Sequence, residues 1–321
     1  MAILLLSGCK GGPAEKPAPP PPSESLLFTV PYIGDETEIR DPAPAPSRLA
    51  NFEESVFGWD VPTEGILRFP VNLREGARLA VRLGGVASEP LQLGEITAQI
   101  EFLSEREKNP IVLFQTGTEE RIECFNRWLD IDISLSPCGT GKGEMKFEID
   151  GDKVKNGQVK VHWGAPVIYY PDERRHKNVL LIGVDTLRRD SVTPYGENGN
   201  ITPYLRALSE TSTLFMQARS QCSWTLPSFA SMVTGRVPSA IGANIYSGYV
   251  PDDTTTIGEM LLPQGYATET VCSNTWLGND QSGFHQGMEG LWYRYDASAQ
   301  AVVGRARSFI ASSTGRDWFC F

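Results

Sequence analysis

The chain has 321 residues, of which 40% are hydrophobic and 21% charged, with 29 basic against 39 acidic side chains and a net charge of −10. That describes a globular protein with material for about two domains. The acidic balance excludes nucleic acid as a partner, because a phosphate backbone needs a basic surface, and no apolar run reaches the length of a membrane span.

The N-terminus reads Met1-Ala-Ile-Leu-Leu-Leu-Ser-Gly-Cys9. Leu6-Ser7-Gly8-Cys9 resembles the lipid-attachment box of bacterial lipoproteins, which implies a signal over residues 1–9 and a lipidated Cys9 held at a membrane. Such a chain is expected in the bacterial cell envelope, lipid-anchored and facing the periplasm or the exterior. No basic residue precedes Cys9 and the apolar run is short for a signal core, so the true start is expected further upstream. Residues 10–25 contain six prolines and cannot form a core. They are expected to be an extended linker, reaching ~50 Å at ~3.1 Å per residue. The other cysteines, at 124, 138, 222, 272 and 320, show no CxxC or Cys/His spacing. Cys124 and Cys138 either pair or, the commoner outcome, stay as thiols.

Across residues 26–170 the hydrophobic period is two. Ile96, Ala98, Ile100 and Phe102 alternate with polar residues, as do Leu129, Ile131, Ile133 and Leu135. Met145, Phe147 and Ile149 repeat the pattern, and so do Val159, Val161 and Trp163. Short alternating runs separated by turns predict an all-β sandwich of jelly-roll type. Trp59, Trp128 and Trp163 are either exposed rings that bind glycan or core residues, and the core reading is preferred.

Residues 171–177 form a charged hinge in which His176 is expected to be solvated. The pattern then changes. Asn178 to Asp185 is a continuous apolar run closed by an acid, as expected of a parallel strand buried on both faces with Asp185 at the ligand-binding edge. Helices are predicted from Ile201, over Thr256–Leu262 and over Ala297–Ile310. Strands are predicted over Thr213–Ala218 and Tyr266–Cys272. This β/α alternation assigns residues 171–321 to an α/β domain. The apolar Trp318-Phe-Cys-Phe321 reads as the opening of a further buried strand, so the domain is expected to continue beyond Phe321.

Between Ser220 and Pro238 lies Trp224-Thr225-Leu226-Pro227-Ser228, followed by Phe229, Met232 and Val233 at helical spacing and a stop at Gly235. Thr225 is therefore expected just ahead of a helix N-terminus, where free N–H groups and the helix dipole favour an oxyanion. A hydroxyl attacks phosphorus or sulfur only when something lowers its pKa, usually a metal ion. As a bare cap, Thr225 would have a purely structural role.

This stretch, the strand ending in Asp185 and the helix opening Ile201-Thr-Pro-Tyr together resemble the sulfatase branch of the alkaline phosphatase superfamily, over about residues 178–321. The family motif is Cys-x-Pro-x-Arg followed by an apolar helix ending Thr-Gly-Arg, and its Cys becomes formylglycine. Here Thr225 stands at the Cys position, Phe229 at the Arg, and Thr234-Gly235-Arg236 closes the motif. The resemblance implies a truncated alkaline-phosphatase-like α/β domain acting on sulfate or phosphate esters, with a glycan as one candidate substrate. It also implies a divalent cation (Ca, Mg, Mn or Zn). Thr225 would be the nucleophile, Asp185 and Thr225 would contribute to the metal site, and Asn274 would contact substrate. Three departures stand out: Thr186 replaces a second metal-binding Asp, Ser273 a Lys and Thr275 a His. The remaining metal ligands are expected beyond Phe321, so the 321-residue chain alone is expected to be inactive. Unmodified Thr225 favours phosphoryl over sulfuryl transfer, because it lacks the second hydroxyl of a hydrated formylglycine. The alternative function is a catalytically lapsed surface protein that binds carbohydrate through its sandwich. His285 is expected to be structural.

Overall fold

The computed structural model describes residues 47–51, 54–61, 64–87, 96–106, 109–116, 128–151 and 159–171 of the N-terminal part. Of the C-terminal part it describes residues 177–196, 201–243, 249–279, 282–313 and 315–321. Four short strands, β1 (Ile3–Leu6), β2 (Glu24–Ser25), β3 (Tyr32–Ile33) and β4 (Asp41–Pro42), are also described. Cys9, Cys124, His176 and all but the end of the Pro-rich segment lie outside these residues.

The sandwich is built from β5 (Ser47–Asn51), β6 (Glu54–Val61), β7 (Glu64–Leu73), β8 (Arg78–Ala87) and β9 (Thr97–Ser104). It is completed by β10 (Ile111–Gln115), β11 (Leu129–Ser134), β12 (Gly141–Asp150) and β13 (Val159–Tyr169). One sheet runs β10-β9-β12-β7-β3-β4, and the other contains β6-β13-β8-β11 with β5 on β6. All of these pairs are antiparallel. The period-two runs face inward: Leu67, Phe69, Val71 and Leu73 from β7 meet Met145, Phe147 and Ile149 from β12, all buried. Trp163 is wholly buried and meets Phe147 edge-on at 5.3 Å, joining the two sheets. Trp128 is buried as well, its ring lying over Gly84, where a Cβ would come within 2.4 Å. The core reading holds for both. The side chain of Trp59 lies outside the described residues.

The C-terminal part comprises β14 (Val179–Gly183), α1 (Pro203–Ser209), α2 (Thr225–Thr234) and α3 (Ile257–Leu261). These are followed by β15 (Ala267–Cys272), α4 (Thr275–Gly278), β16 (Gly290–Tyr293), α5 (Ala299–Ser312) and β17 (Trp318–Cys320). Strands β14, β17, β15 and β16 lie side by side and parallel. Helix α5 packs with Ala267 and Val271 of β15, whereas α2 packs with Cys272, so helices cover both sheet faces. Every residue of β15 is buried accordingly. Two buried acids in this layer are paired. Glu269 on β15 takes two hydrogen bonds from Arg305 of α5, at 2.7 and 2.8 Å. Glu289 receives two from Arg316, at 2.7 and 3.1 Å.

Three features differ from expectation. β14 is half-exposed rather than doubly buried: only Leu181 is buried, while Ile182 and Val184 are exposed. Its outer edge is paired antiparallel with β1, with Leu4 opposite Ile182. Residues 213–218 form no strand; Phe215 and Met216 are exposed, and no strand pairs with them among the described residues. The two halves also share a sheet. β16 pairs antiparallel with β6, Gly290 opposite Val56 and Trp292 opposite Glu54, which joins the parallel strands and the sandwich strands into eleven.

Candidate active site

Because β14, β15 and β17 are parallel, their C-terminal ends share one edge, the usual place for a ligand in an open α/β sheet. Asp185 comes to that edge just after β14. Thr186, next in sequence, holds φ at +54°, a left-handed conformation that a β-branched residue rarely adopts. The turn directs the Thr186 N–H to Asp185 Oδ1 at 2.9 Å.

Thr225 reaches the same place from α2. It is the first residue of the helix rather than the one ahead of it, and Trp224, with extended backbone at φ −109° and ψ 141°, is the N-cap. The Trp224 carbonyl accepts the first intrahelical bond, from the Ser228 N–H at 3.2 Å. Thr225 and Leu226 therefore carry N–H groups that precede any intrahelical acceptor, and Pro227 has none to leave over. The Thr225 hydroxyl donates to Asp185, with Oγ1 3.3 Å from Oδ1 and 3.2 Å from Oδ2.

Asn274 follows β15 and completes the group. Its Nδ2 donates to Asp185 Oδ2 at 2.8 Å, while its Oδ1 accepts the Trp276 N–H at 2.9 Å as the cap of α4. The cap fixes which end of the amide faces the acid. Asn274, expected as a substrate contact, donates here to Asp185. Thr275 accepts a hydrogen bond from the Tyr293 hydroxyl at 3.1 Å, and Ser273 is half-buried. Phe229 is buried under the site, its ring against Gly183, where a Cβ would stand 2.3 Å from the ring. An apolar contact thus occupies the position of the family's Arg. His285 sits in the turn before β16, where its carbonyl accepts the Met288 N–H.

A hard divalent cation wants several oxygen ligands, most of them charged. Asp185 is one carboxylate, and the Asn274 amide turns a donor, not an oxygen, toward it. No group of three or more His, Cys, Asp or Glu suited to a metal occurs among the described residues. Asp185 and Thr225 do not form a cation site by themselves.

Sequence reading missed one feature of this edge. The indole rings of Trp224 and Trp276 meet edge-on, 5.4 Å apart at 64°, and both are exposed. A single Trp beside a helix start carries no local signal of where its ring points.

Comparison with known proteins bears on the same segment. Residues 177–319 match the Sulfatase family model. This segment belongs to the sulfatase family. Among curated sulfatases, arylsulfatase A of Bos taurus is 33% identical over 99 residues, covering 28% of this chain and 19% of that protein. The ulvan-active sulfatase of Formosa agariphila (strain DSM 15362 / KCTC 12365 / LMG 23005 / KMM 3901 / M-2Alg 35-1) is 29% identical over 97 residues, covering 30% and 19%. The chain thus spans about a fifth of the length of the sulfatases it matches. Among solved structures it is similar to the module TmCBM61, in complex with β-1,4-galactotriose, at 12% identity and a TM-score of 0.25. That match covers 36% of this chain and 70% of the module. The C-terminal CBM6 of LamC from Zobellia galactanivorans gives 10% identity and 0.24, covering 46% and 96%. Scores so low say nothing of a ligand.

Proposed function

We propose that the sulfatase segment supplies the nucleophile half of an ester-cleaving site, with Thr225 attacking the phosphorus or sulfur of a phosphate or sulfate ester. The observation that carries this is the Thr225 hydroxyl at the head of α2, donating to both oxygens of an Asp185 held by Asn274. In the attack the Thr225 oxygen bonds to the central atom and its proton leaves toward Asp185. The bond to the leaving oxygen breaks, and that oxygen leaves as the alcohol after taking up a proton. Water then releases the acid and restores Thr225. The free N–H groups of α2 favour the oxyanions of both steps. The family is generally dependent on a divalent cation, and Asp185 and Thr225 would be this chain's contribution to holding it. Such a fold would be the alkaline-phosphatase-like domain expected from the sequence, in the cell envelope if Cys9 is lipidated. A phosphate ester remains our preferred substrate, on the chemistry of an unmodified Thr.

The alternative, a lapsed enzyme that binds carbohydrate through its sandwich, draws on the apolar Phe229 at the position of the family's Arg. Incubating the protein with aryl phosphodiester or aryl sulfate and added Mn²⁺, Zn²⁺ or Ca²⁺, then mapping peptides by mass spectrometry, separates the two. A phosphoryl or sulfuryl adduct on Thr225 is expected in longer forms that carry later residues, and its loss in Asp185→Asn. An unmodified Thr225 under every condition, in this chain and in longer forms carrying later residues, favours the lapsed enzyme.

A further inference from the structure

We propose that Asn274 is a positioning residue whose amide donor competes with a divalent cation for Asp185 and so reserves that carboxylate for the Thr225 hydroxyl. What Asp185 is reserved for rests on the reading of Thr225 as nucleophile; the competition does not. A carboxylate offers about four lone-pair positions. Oδ1 of Asp185 accepts from the Thr186 N–H at 2.9 Å, and Oδ2 accepts from Asn274 Nδ2 at 2.8 Å. The Thr225 hydroxyl lies 3.3 and 3.2 Å from the two oxygens. The two shortest donors thus take one oxygen each, and Thr225 is left shared between both.

A hard cation approaches a carboxylate oxygen to about 2.0–2.6 Å. An amide N–H is a rival there, because its hydrogen directs positive charge at the same lone pairs. Asn274 cannot accommodate a cation by rotating its amide. Its Oδ1 accepts the Trp276 N–H at 2.9 Å as the cap of α4, and a rotated amide would set its NH2 against that N–H. The side chain therefore serves two elements with fixed polarity, as acceptor to α4 and donor to Asp185. Ser and Asp cap helices about as well as Asn. Of the three, only Asn caps with an oxygen and donates from a second atom of the same side chain. The cap alone does not call for Asn here, whereas the bond to Asp185 does.

The test is cation binding to the 321-residue chain. Terbium(III), a hard oxygen-seeking cation, is followed by its luminescence, sensitised by Trp224 and Trp276, and Mn²⁺ is added as competitor. Two variants keep the cap and change the other end of the side chain. Asn274→Ser withdraws the donor, and the isosteric Asn274→Asp replaces it with an acceptor. Asn274→Ser is expected to bind terbium about 3- to 10-fold more tightly than the native chain, the equivalent of one hydrogen bond removed from competition. Asn274→Asp is expected to gain more than about 10-fold, since it adds a second carboxylate oxygen beside Asp185. Both gains should vanish when Asp185→Asn is added. Circular dichroism checks the fold of each variant, and Asn274→Asp carries the test if Asn274→Ser does not fold. Terbium held through Asp185 as tightly by the native chain as by either folded variant overturns the proposal, and so does a gain that survives Asp185→Asn. Absence of a Thr225 adduct together with these gains would sink the nucleophile reading and leave the competition standing. An adduct without the gains would do the reverse.

Discussion

At the scale of single residues, the site shows how a carboxylate is aimed without being buried. Asp185 takes hydrogen bonds from the Thr186 backbone, the Thr225 hydroxyl and the Asn274 amide, three donors from three different elements. Asp185 and Thr225 were legible in the sequence because strand end and helix start are local signals. The role of Asn274 was not, since its partner is 89 residues away. The thiols give a residue-scale prediction. Burial pushes Cys272 and Cys320 up to about 12 from an ordinary 9.0. The folded state then keeps two protons that the unfolded chain releases above pH 9. Their contribution is thus fully present below pH 9 and is lost as pH rises, by at most about 1.4 kcal/mol per pH unit for each thiol. Urea titrations at pH 8 and pH 10 should show that loss, and Cys272→Ala with Cys320→Ala should flatten the slope. An unchanged slope would mean that neither thiol is buried in solution.

At the scale of elements, β14 and α2 are fitted to each other at one point. The edge of the Phe229 ring lies against Gly183, and a methyl group there would stand 2.3 Å from it. Gly183→Ala is expected to cost about 1–3 kcal/mol by overpacking. Adding Phe229→Leu should recover part of that, giving a non-additive double-mutant cycle in thermal or urea unfolding. Strictly additive effects would show that the two do not touch. Elements were read well from sequence where the periodicity was matched by a partner. β9, β12, β13, β15, α3 and α5 fall close to their expected positions. The Thr213–Ala218 segment carries a short apolar run, Leu214-Phe215-Met216, but forms no strand, because strand propensity stabilises nothing until a ladder exists.

At the scale of the whole molecule, the pairing of β16 with β6 makes the sandwich and the sulfatase segment neighbours in one sheet. A composition shift near residue 171 suggests two bodies, and no local pattern in β6 or β16 announces that they will pair. The shared ladder predicts one unfolding transition. Far-ultraviolet circular dichroism, which follows the strands of both halves, and labelling of buried Cys272 and Cys320, which reports only on the sulfatase segment, should give the same urea midpoint. Midpoints well apart would show that the ladder contributes little.

The pairing of β1 with β14 bears on how the protein behaves in a crowded solution. Val179-Leu-Leu-Ile-Gly183 is uncharged, rich in branched residues and free of proline, and an uncovered edge of that kind recruits other strands. β1 covers it with residues 3–6, which lie ahead of Cys9. Cleavage before Cys9 would therefore strip the cover and leave a sticky border for self-association or for capture by another chain. Deleting residues 1–8 should raise light scattering and thioflavin fluorescence on standing. Adding a lysine within β14 at the exposed Ile182 position should suppress both, and equal scattering from the intact and shortened proteins would show that β1 guards nothing.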